Sequence, residues 1–348
     1  MQETILDNGA TVSASSSSTV SKLKLGFLGV GWIGRNRMEA IANKGVGEVT
    51  FISDTAAPNA EEAMKSAPAA KQVNSLEAML QEPDVEGIVI ATPSAFHAEQ
   101  SILSLEAGKS VFCQKPLGRN VEETKRVVEA ARAQNKLLGV DLSYRFTAAM
   151  QEVFKVVQSG ELGQIYAVEL VFHNAYGPDK AWFYEQKLSG GGCVIDLGVH
   201  LVDLALWSMN FPEVKQVHSQ LFAKGKPISM AEGKVEDYAT ASIELEGNTH
   251  IQLSCSWNLP AGQEAIISTT FYGTEGGVAF KNINGSFYDF VAERYYGTKT
   301  EQLCAPPDEW MGRAGVVWAE RVAKGDGFDE KAEEFIKVAE VLDKIYGR

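Results

Sequence analysis

The chain is poor in cysteine, in histidine and in long apolar runs. Its four cysteines are widely separated in 348 residues and form no C-x-x-C pair: Cys113, Cys193, Cys255 and Cys304. This spacing fits neither a disulfide framework nor a zinc site, so we expect reduced thiols in a cytoplasmic protein and predict no metal site. No uninterrupted apolar run reaches the roughly 18 residues of a membrane span, so no membrane partner is predicted.

Positive charge is also scarce. There are 32 Lys and Arg residues against 45 Asp and Glu, which gives a net charge of -13. This balance argues against a nucleic-acid partner. The 45% hydrophobic content of 348 residues suffices for a large core and predicts two domains. Residues 1–21 are mostly small and polar, so we expect a disordered tail there and no secretory signal.

A glycine-rich turn follows the first apolar segment. Gly29, Gly31 and Gly34 form G-x-G-x-x-G between a strand that starts near residue 24 and a helix that starts near Trp32. In a dinucleotide site these glycines permit a tight turn, close approach of a pyrophosphate and close packing of helix on strand. The first helical residues, Trp32 and Ile33, would then lie beside the phosphates. The alternative is an ordinary strand–helix turn.

An acidic residue strengthens the dinucleotide interpretation. Asp54 ends the next apolar strand, twenty positions after Gly34, where a carboxylate accepts hydrogen bonds from the adenosine ribose. Its charge would repel a 2′-phosphate, and no arginine follows within ten residues. The sequence therefore predicts NAD as the cofactor in preference to NADP.

From residue 22 to residue 145 short apolar strands alternate with amphipathic helices. This pattern is typical of a doubly wound parallel sheet of the Rossmann type, which binds ligands at the carboxyl ends of its strands. The predicted strands are Leu23–Val30, Glu48–Ser53, Gly87–Ala91, Ser110–Cys113 and Leu137–Asp141. The predicted helices are Ser75–Leu80, Ala95–Ala107 and Val121–Asn135.

Polar side chains follow two of these strands. Thr92, Pro93 and His97 come after the third strand, and Gln114 and Lys115 come after the fourth. We predict that all five contact the cofactor, with the lysine beside its nicotinamide end. An ammonium group there can polarise a carbonyl or relay a proton. A lysine on the surface is the alternative.

Residues 146–348 carry a different pattern, with longer alternating strands. The predicted strands are Ile165–Asn174, Val214–Phe222, Asp237–Leu245, Thr249–Trp257 and Ala265–Tyr272, with helices at Ala148–Gln158 and Glu330–Ile345. They predict an α+β domain with a large open, mainly antiparallel sheet covered by helices on one face. Small hydroxylated residues on its other face favour a homodimer or homotetramer, with a solvated face as the alternative.

A second glycine-rich stretch precedes a pair of reactive side chains. Three glycines at 190–192 would let the backbone approach a ligand, and a helix is predicted from about Val194. Asp196 and His200 then lie one turn apart on one face, where they can hold a hydroxyl group and pass its proton. A capping aspartate and a core histidine are the alternative. The preceding loop, 177–189, is either a lid over a sugar-sized ligand or a packing loop.

The order of these motifs resembles the glucose–fructose oxidoreductase, inositol dehydrogenase and rhizopine-catabolism (Gfo/Idh/MocA) family. It runs from G-x-G-x-x-G through the acid after the second strand and T-P-x-x-x-H to K-P. Ser143–Phe146, Gly160–Ile165 and Ser189–His200 are similar to the family's domain crossing, its helix-to-strand turn and its active-site helix. The resemblance covers nearly the whole chain from Lys24 onward.

The resemblance implies specific roles. The catalytic residues it implies are Lys115, Asp196 and His200, and the substrate-binding residues are Lys115, Tyr144, Arg145, Asp196 and His200. It also implies that the bond between Lys115 and Pro116 is cis, a geometry that proline permits. At one position the chain departs from the family, which usually has glutamate before the lysine. Gln114 removes that negative charge from the side of Lys115.

These residues predict an NAD-dependent oxidoreductase acting on a sugar, an inositol or a sugar derivative. Hydride would pass between the nicotinamide and a carbinol or ketone carbon, with His200 exchanging the hydroxyl proton and Asp196 orienting it. Lys115 would stabilise the alkoxide, although spacing leaves open whether it or His200 is the main acid/base. Two other activities known in the family stay open: NAD-dependent glycoside cleavage and dinucleotide sensing by a non-catalytic regulator.

Overall fold

The computed structural model describes residues 22–348, so the predicted tail at 1–21 lies outside the described residues. Strands and helices alternate through the first third. The strands are β1 (Leu23–Leu28), β2 (Gly47–Ser53), β3 (Lys71–Gln72), β4 (Gly87–Ile90), β5 (Ser110–Cys113) and β6 (Leu138–Val140). The helices are α1 (Trp32–Lys44), α2 (Ala57–Ser66), α3 (Leu76–Leu80), α4 (Ser94–Glu106) and α5 (Val121–Gln134).

These six strands form one parallel sheet in the order β3-β2-β1-β4-β5-β6. This is the strand order of the Rossmann fold, and the predicted doubly wound sheet is confirmed. Capping side chains and amphipathic spacing determine where its helices begin and which face they bury. In α5, for example, the side chain of Asn120 accepts the amide of Glu123 and caps the helix, while Val127, Val128 and Ala131 are buried.

Most of the remaining elements form a second sheet and the helices that pack on it. Its strands are β7 (Ile165–Asn174), β8 (Val214–Ala223), β9 (Lys226–Ile228), β10 (Tyr238–Leu245), β11 (His250–Ser256), β12 (Ala265–Gly273), β13 (Gly277–Asn282), β14 (Phe290–Tyr296) and β15 (Lys299–Cys304). Its helices are α6 (Ala148–Ser159), α7 (Gln186–Ser189), α8 (Val199–Ser208), α9 (Arg313–Ala323) and α10 (Glu333–Tyr346).

The second sheet is large and mainly antiparallel, as predicted. Its order is β15-β14-β13-β12-β7-β11-β10-β8-β9, and β7 and β11 form its parallel pair. Alternate residues of β10 face inward: Ala239, Ala241, Ile243 and Leu245 are buried, whereas Thr240 and Ser242 face outward. Helices α6, α8 and α10 cover the inner face of the sheet. The alternation along β10 therefore distinguishes the residues of the core from those of the surface.

The carboxyl-terminal part of the chain returns to the first sheet. Helix α9 packs against α1, and Trp318 is buried beside Phe112 in a core cluster that includes Leu25 of β1. Ile336 of α10 joins the cluster on the other face of the sheet. Helix α9 and Ile336, which lie in the predicted second domain, therefore also pack into the cores around the first sheet. Their sequence did not indicate this, because an amphipathic face does not reveal which core it joins.

One helical stretch among residues 22–348 is long and apolar enough to cross a membrane by length and composition. It runs through Gln186–Ser208, and 89% of its most apolar window is buried inside the protein. It contains α8, which packs against β7 and α10. Burial inside the protein accounts for the high apolar content of this stretch.

Candidate active site

The glycine-rich turn joins β1 to α1 under tight steric limits. Gly29 has a φ of +81°, and a Cβ there would lie 2.6 Å from the carbonyl oxygen of Ala91. A Cβ on Gly34 would lie 2.0 Å from the carbonyl oxygen of Gly29. Only glycine fits at these two positions, because each contact is with backbone that cannot move aside.

The start of α1 suits a bound pyrophosphate. Gly31 precedes the helix without a side-chain cap, and the first turn carries no acidic residue. A Cβ on Gly31 would have only Asn59 within 4 Å, at 3.7 Å, so its backbone faces open space. Uncapped N–H groups at an open helix start are donors for phosphate oxygens, and the residues present therefore fit a dinucleotide.

Asp54 is fixed beside this turn at the end of β2. Its Oδ2 accepts the amide of Val30 at 2.8 Å, and its Oδ1 accepts the amide of Ala56 at 2.8 Å. Asn59 donates to both oxygens at 3.3 Å. The carboxylate thus has a fixed orientation beside the glycine-rich turn.

A cleft of about 490 Å³ starts at the glycine-rich turn and lies between the two sheets. The first domain contributes Gly31, Trp32, Ile33, Gly34, Ala91, Thr92, Ser94, His97, Gln114, Lys115 and Pro116. The second contributes Pro178, Asp179, Lys180, Trp182, Phe183, Ser189, Ile195 and Asp196. The predicted loop at 177–189 therefore borders the cleft with its aromatic side chains.

Lys115 and Asp196 meet in this cleft from opposite domains. The Lys115 Nζ donates to Asp196 Oδ1 at 2.8 Å and to the Asp196 carbonyl oxygen at 2.7 Å. The other carboxylate oxygen, Oδ2, accepts the indole N–H of Trp257 at 3.1 Å. Two of the three ammonium hydrogens are thus used, which leaves a third for a ligand. The Lys115–Pro116 bond is cis, as the resemblance implied.

His200 lies behind Asp196 and not among the residues that line the cleft. Its ring packs edge-on against Tyr144, with 4.8 Å between ring centroids, and the residue is 8% exposed. Burial comes first among the causes that lower the pKa of His200 well below its usual value, followed by the charges of Lys115 and Arg37. All three causes favour the neutral form of the imidazole.

The helix that carries Asp196 begins irregularly. Val194–Gly198 forms a π turn, in which the amide of Val199 donates to the carbonyl of Val194, and α8 follows. Asp196 lies in the wide turn and His200 in the regular helix. The predicted helix from Val194 is therefore present, with a local widening of the kind common at functional sites.

The glycines before this helix make room for the protein's own side chains. A Cβ on Gly192 would lie 1.8 Å from the carbonyl oxygen of Glu236, and one on Gly191 would lie 2.1 Å from the Tyr346 hydroxyl. The Glu236 carboxylate accepts the amides of Gly192 and Val194 at 2.9 and 2.8 Å, and the Tyr346 hydroxyl at 2.9 Å. Burial raises the pKa of Glu236. The glycine run predicts that the backbone admits a ligand here; the structure instead places Tyr346 against Gly191 and Glu236 against Gly192.

His97 ties two strand ends together. Its Nδ1 lies 2.7 Å from the Pro116 carbonyl oxygen, and its Nε2 lies 2.7 Å from the Thr92 carbonyl oxygen. Burial lowers the pKa of His97. The hydroxyl of Thr92 donates to Gln100, while Pro93 precedes α4 and is not among the lining residues. His97 and Thr92 thus border the cleft, and both ring nitrogens of His97 contact protein carbonyls.

Gln114 belongs to a buried polar chain. Its Nε2 donates to Asp141 Oδ2 at 2.8 Å, and its Oε1 accepts the amide of Lys115 at 2.9 Å. Arg37 Nε donates to the same Asp141 oxygen at 2.6 Å. The glutamine amide is therefore held at both ends.

Two predicted substrate-binding residues lie away from the cleft. Tyr144 is buried against aromatic rings such as that of Trp310, at 5.3 Å between centroids. Arg145 donates to both oxygens of Asp203, at 2.8 and 2.6 Å, and to Glu334 at 2.9 Å. Neither residue lines the cleft. Asp203 and Glu334 already bind the guanidinium of Arg145, so it is not available to a substrate. The sequence around Arg145 does not reveal these partners, because both are distant along the chain.

Sequence reasoning missed five residues that support the site: Arg37, Asp141, Glu236, Trp257 and Tyr346. Asp141 carried a readable signal, because it ends a predicted strand of the parallel sheet. The others carried none, since their partners are distant in sequence; Trp257 is 61 residues from Asp196.

The packing around Gly192 predicts a sharp difference between this glycine, which precedes the helix, and Gly198, which lies inside it. Gly192→Ala should destabilise the protein by about 1–3 kcal/mol or more, because the new methyl group meets backbone. Gly198→Ala is the matched control: its Cβ would have Cys255 Sγ at 3.5 Å as nearest neighbour, and its φ is −60°. It should be neutral or stabilising by about 0.4–1 kcal/mol. Urea unfolding of both variants measures this, and equal losses would contradict the assignment.

Comparison with known proteins agrees with the fold. Residues 23–142 match a family profile described as "Oxidoreductase family, NAD-binding Rossmann fold", and residues 150–279 match "GFO/IDH/MocA C-terminal domain". Levoglucosan dehydrogenase, solved with NADH and levoglucosan, has a TM-score of 0.79 at 20% identity over 94% of this chain and 97% of that chain. A 3-ketoreductase from Actinomadura kijaniata, solved with NADP and TDP-benzene, has a TM-score of 0.79 at 19% identity, covering 94% and 98%.

Named relatives share more sequence. D-glucoside 3-dehydrogenase of Escherichia coli is 32% identical over 205 residues, which span 56% of this chain and 58% of that protein. 1,5-Anhydro-D-fructose reductase of Ensifer adhaerens is 26% identical over 74% of this chain and 75% of that protein. Inositol 2-dehydrogenase of Mycolicibacterium smegmatis is 26% identical over 78% of each. The chain therefore belongs to the Gfo/Idh/MocA family, an oxidoreductase family with an NAD-binding Rossmann domain.

Proposed function

We propose that the protein is an NAD-dependent oxidoreductase acting on a sugar, an inositol or a sugar derivative. The observation that carries this proposal is the meeting of Lys115 and Asp196 in the cleft that begins at the glycine-rich turn. Bound there, NAD would supply the hydride acceptor or donor. The chain's own task is then to hold a substrate hydroxyl or carbonyl oxygen and to move its proton.

Lys115 is suited to hold that oxygen. Asp196 takes two of its N–H groups, so the ammonium has a fixed position, and the third N–H can donate to the substrate. A positive charge held in place stabilises an alkoxide as it develops, because no reorganisation is needed at that moment. Asp196, with both oxygens bound by donors, acts as the anchor of the lysine.

His200 is the second candidate for the proton. Its pKa is lowered by burial and by nearby cations, so the neutral form prevails near neutral pH. We assign Lys115 and His200 together as the acid/base pair, with Lys115 as the member that lines the cleft and contacts the substrate oxygen. Oxidation of an alcohol would then release its hydroxyl proton to this pair, and reduction of a ketone would draw the proton back.

The substrate class follows from the cleft and from the relatives. Trp182 and Phe183 stack on each other, with 3.8 Å between centroids, and both border the cleft. Such rings pack against the C–H face of a polyhydroxylated ring, while polar groups at the other end bind its hydroxyls. The named relatives act on glucosides, 1,5-anhydro-D-fructose and inositol, which share this chemistry.

The catalytic assignment predicts that turnover and cofactor binding separate on mutation. Lys115→Met and His200→Ala should each lower kcat by about 10²–10⁴, the range for a positioned acid/base, with a much smaller change in NAD affinity. The double variant should lose less than the product of the single losses. Reduced-nicotinamide absorbance over a panel of sugars and inositols measures the rates.

One matched control accompanies these variants. Lys44→Met removes the same side-chain type as Lys115→Met from an exposed position and should leave kcat unchanged. Full activity of Lys115→Met would refute the assignment. Tight NAD binding without turnover of any polyol would instead favour a dinucleotide-sensing regulator.

Asp54 predicts the cofactor preference. Wild-type protein should bind NAD more tightly than NADP by about ten- to a hundredfold, since a hydrogen bond to a charged group is worth roughly 1.5–3 kcal/mol. The preference should shrink in Asp54→Asn, which removes the charge but keeps an acceptor for the turn. Glu61→Gln, at an exposed position, is the control. Calorimetric titration with both dinucleotides decides, and tighter NADP binding to the wild type would overturn the prediction.

The outer face of the second sheet predicts self-association. Thr240, Ser242 and Ser254 lie on this face and give it small hydroxylated side chains. We propose that it packs on a second copy of the chain, so light scattering at micromolar concentration should give at least twice 37.8 kDa. Thr240→Lys should lower the mass, whereas Glu61→Lys should not. A wild-type mass of one chain would end this proposal.

A further inference from the structure

The side chain of Gln114, which precedes Lys115, is held by Asp141 at the end of the neighbouring strand β6. Gln114 donates through Nε2 to Asp141 Oδ2 at 2.8 Å and accepts the Lys115 amide through Oε1 at 2.9 Å. The amide therefore connects the backbone of Lys115 to the end of β6. Any change in how Asp141 is held is transmitted to the residue that carries the ammonium.

Asp141 is a fully buried carboxylate with few partners. The side chain has no solvent exposure, and Arg37 Nε donates to Oδ2 at 2.6 Å. The same oxygen serves both Arg37 and Gln114, while Oδ1 is buried and has no hydrogen-bond partner among residues 22–348. A buried carboxylate is stable only while cations and donors compensate its charge, so this site has no capacity for a second negative charge.

We propose that Asp141, held by Arg37, is a positioning residue for Lys115 and that it requires an amide at position 114. Asp141 thus supplies, from the end of β6, the negative charge that the family's glutamate would place beside Lys115. The part that concerns catalysis depends on the proposed function; the pairing of side chains does not.

A glutamate at position 114 would meet a carboxylate oxygen at about hydrogen-bond distance. Two carboxylates so close cannot both ionise, so the pair would hold a proton and titrate at a raised pKa. Arg37 is the cation bound to this pair, while Lys115 is bound to Asp196. The other titratable groups around the cluster are Cys113, whose pKa burial raises to about 12, Tyr144, Asp196 and His200.

The sign of the pH effect follows from this raised pKa. A carboxyl whose pKa is higher in the folded state adds stability at low pH and loses it as pH rises through the folded pKa. Gln114→Glu should therefore approach wild-type stability near pH 5 and fall below it progressively towards about pH 9. Gln72→Glu, at an exposed position, should show no such slope.

The exchange variant tests the pairing directly. In Gln114→Glu/Asp141→Asn the amide and the carboxylate trade places. Because Asp141 Oδ2 serves both Arg37 and Gln114, an amide at position 141 that turns its nitrogen towards position 114 leaves Arg37 to pair with the carboxylate introduced there. One negative charge then remains near Arg37. The loss of stability that Gln114→Glu shows as pH rises should disappear in this double variant. Asp141→Asn alone should be less stable than the wild type at every pH, because Arg37 then lacks its counter-charge.

Denaturant midpoints from about pH 5 to about pH 9 measure these effects without any substrate. In activity assays Gln114→Glu should lose about tenfold or more in kcat near pH 8 and recover as pH falls, with NAD affinity little changed. The exchange variant should recover much of that loss at all pH values. If Gln114→Glu fails to fold, folding of the exchange variant supports the pairing.

Two results would overturn the inference: a flat pH profile for Gln114→Glu, or an exchange variant that is no better than Gln114→Glu. The proposed function fails by a different result: the wild-type protein oxidises or reduces no polyol. In that case the denaturant midpoints of the Gln114 and Asp141 variants can still follow the predicted pH dependence. The two failures are therefore distinguishable.

Discussion

The ion pair between Lys115 and Asp196 is the interaction on which the site depends. The partners are 81 residues apart and belong to different domains, and their side chains are 17% and 16% exposed. At that depth an unpaired lysine or aspartate would be costly, so each residue needs the other. The pair fixes the relative position of a Rossmann strand end and the π turn, and it places a donor in the cleft.

Both partners are held from behind by buried polar groups. Trp257 binds the second oxygen of Asp196, and Gln114 binds the backbone of Lys115. Glu236 and Tyr346 hold the start of the helix that carries Asp196. These supports come from distant strands and from the last helix, so the chain must fold completely before the site exists. Groups held this way keep their positions in the cleft without further reorganisation.

Local patterns sufficed wherever a residue's role depends on its chain neighbours. The spacing of Gly29 and Gly34 identified a turn in which no side chain fits, and the alternation of β10 identified its buried face. The same logic failed for Tyr144 and Arg145. Their motif resembles a substrate-binding segment, but aromatic rings and carboxylates of the second domain surround them.

Local patterns were enough to predict the two sheets, the dinucleotide turn and the strand end that carries Lys115, because these follow from steric rules and periodicities over a few residues. Three features come from long-range packing instead: α9 packs in the first domain, His200 lies outside the lining of the cleft, and Gly192 accommodates Glu236. Each of these depends on which buried groups meet after folding. A contact between residues dozens of positions apart leaves no local period or spacing to read.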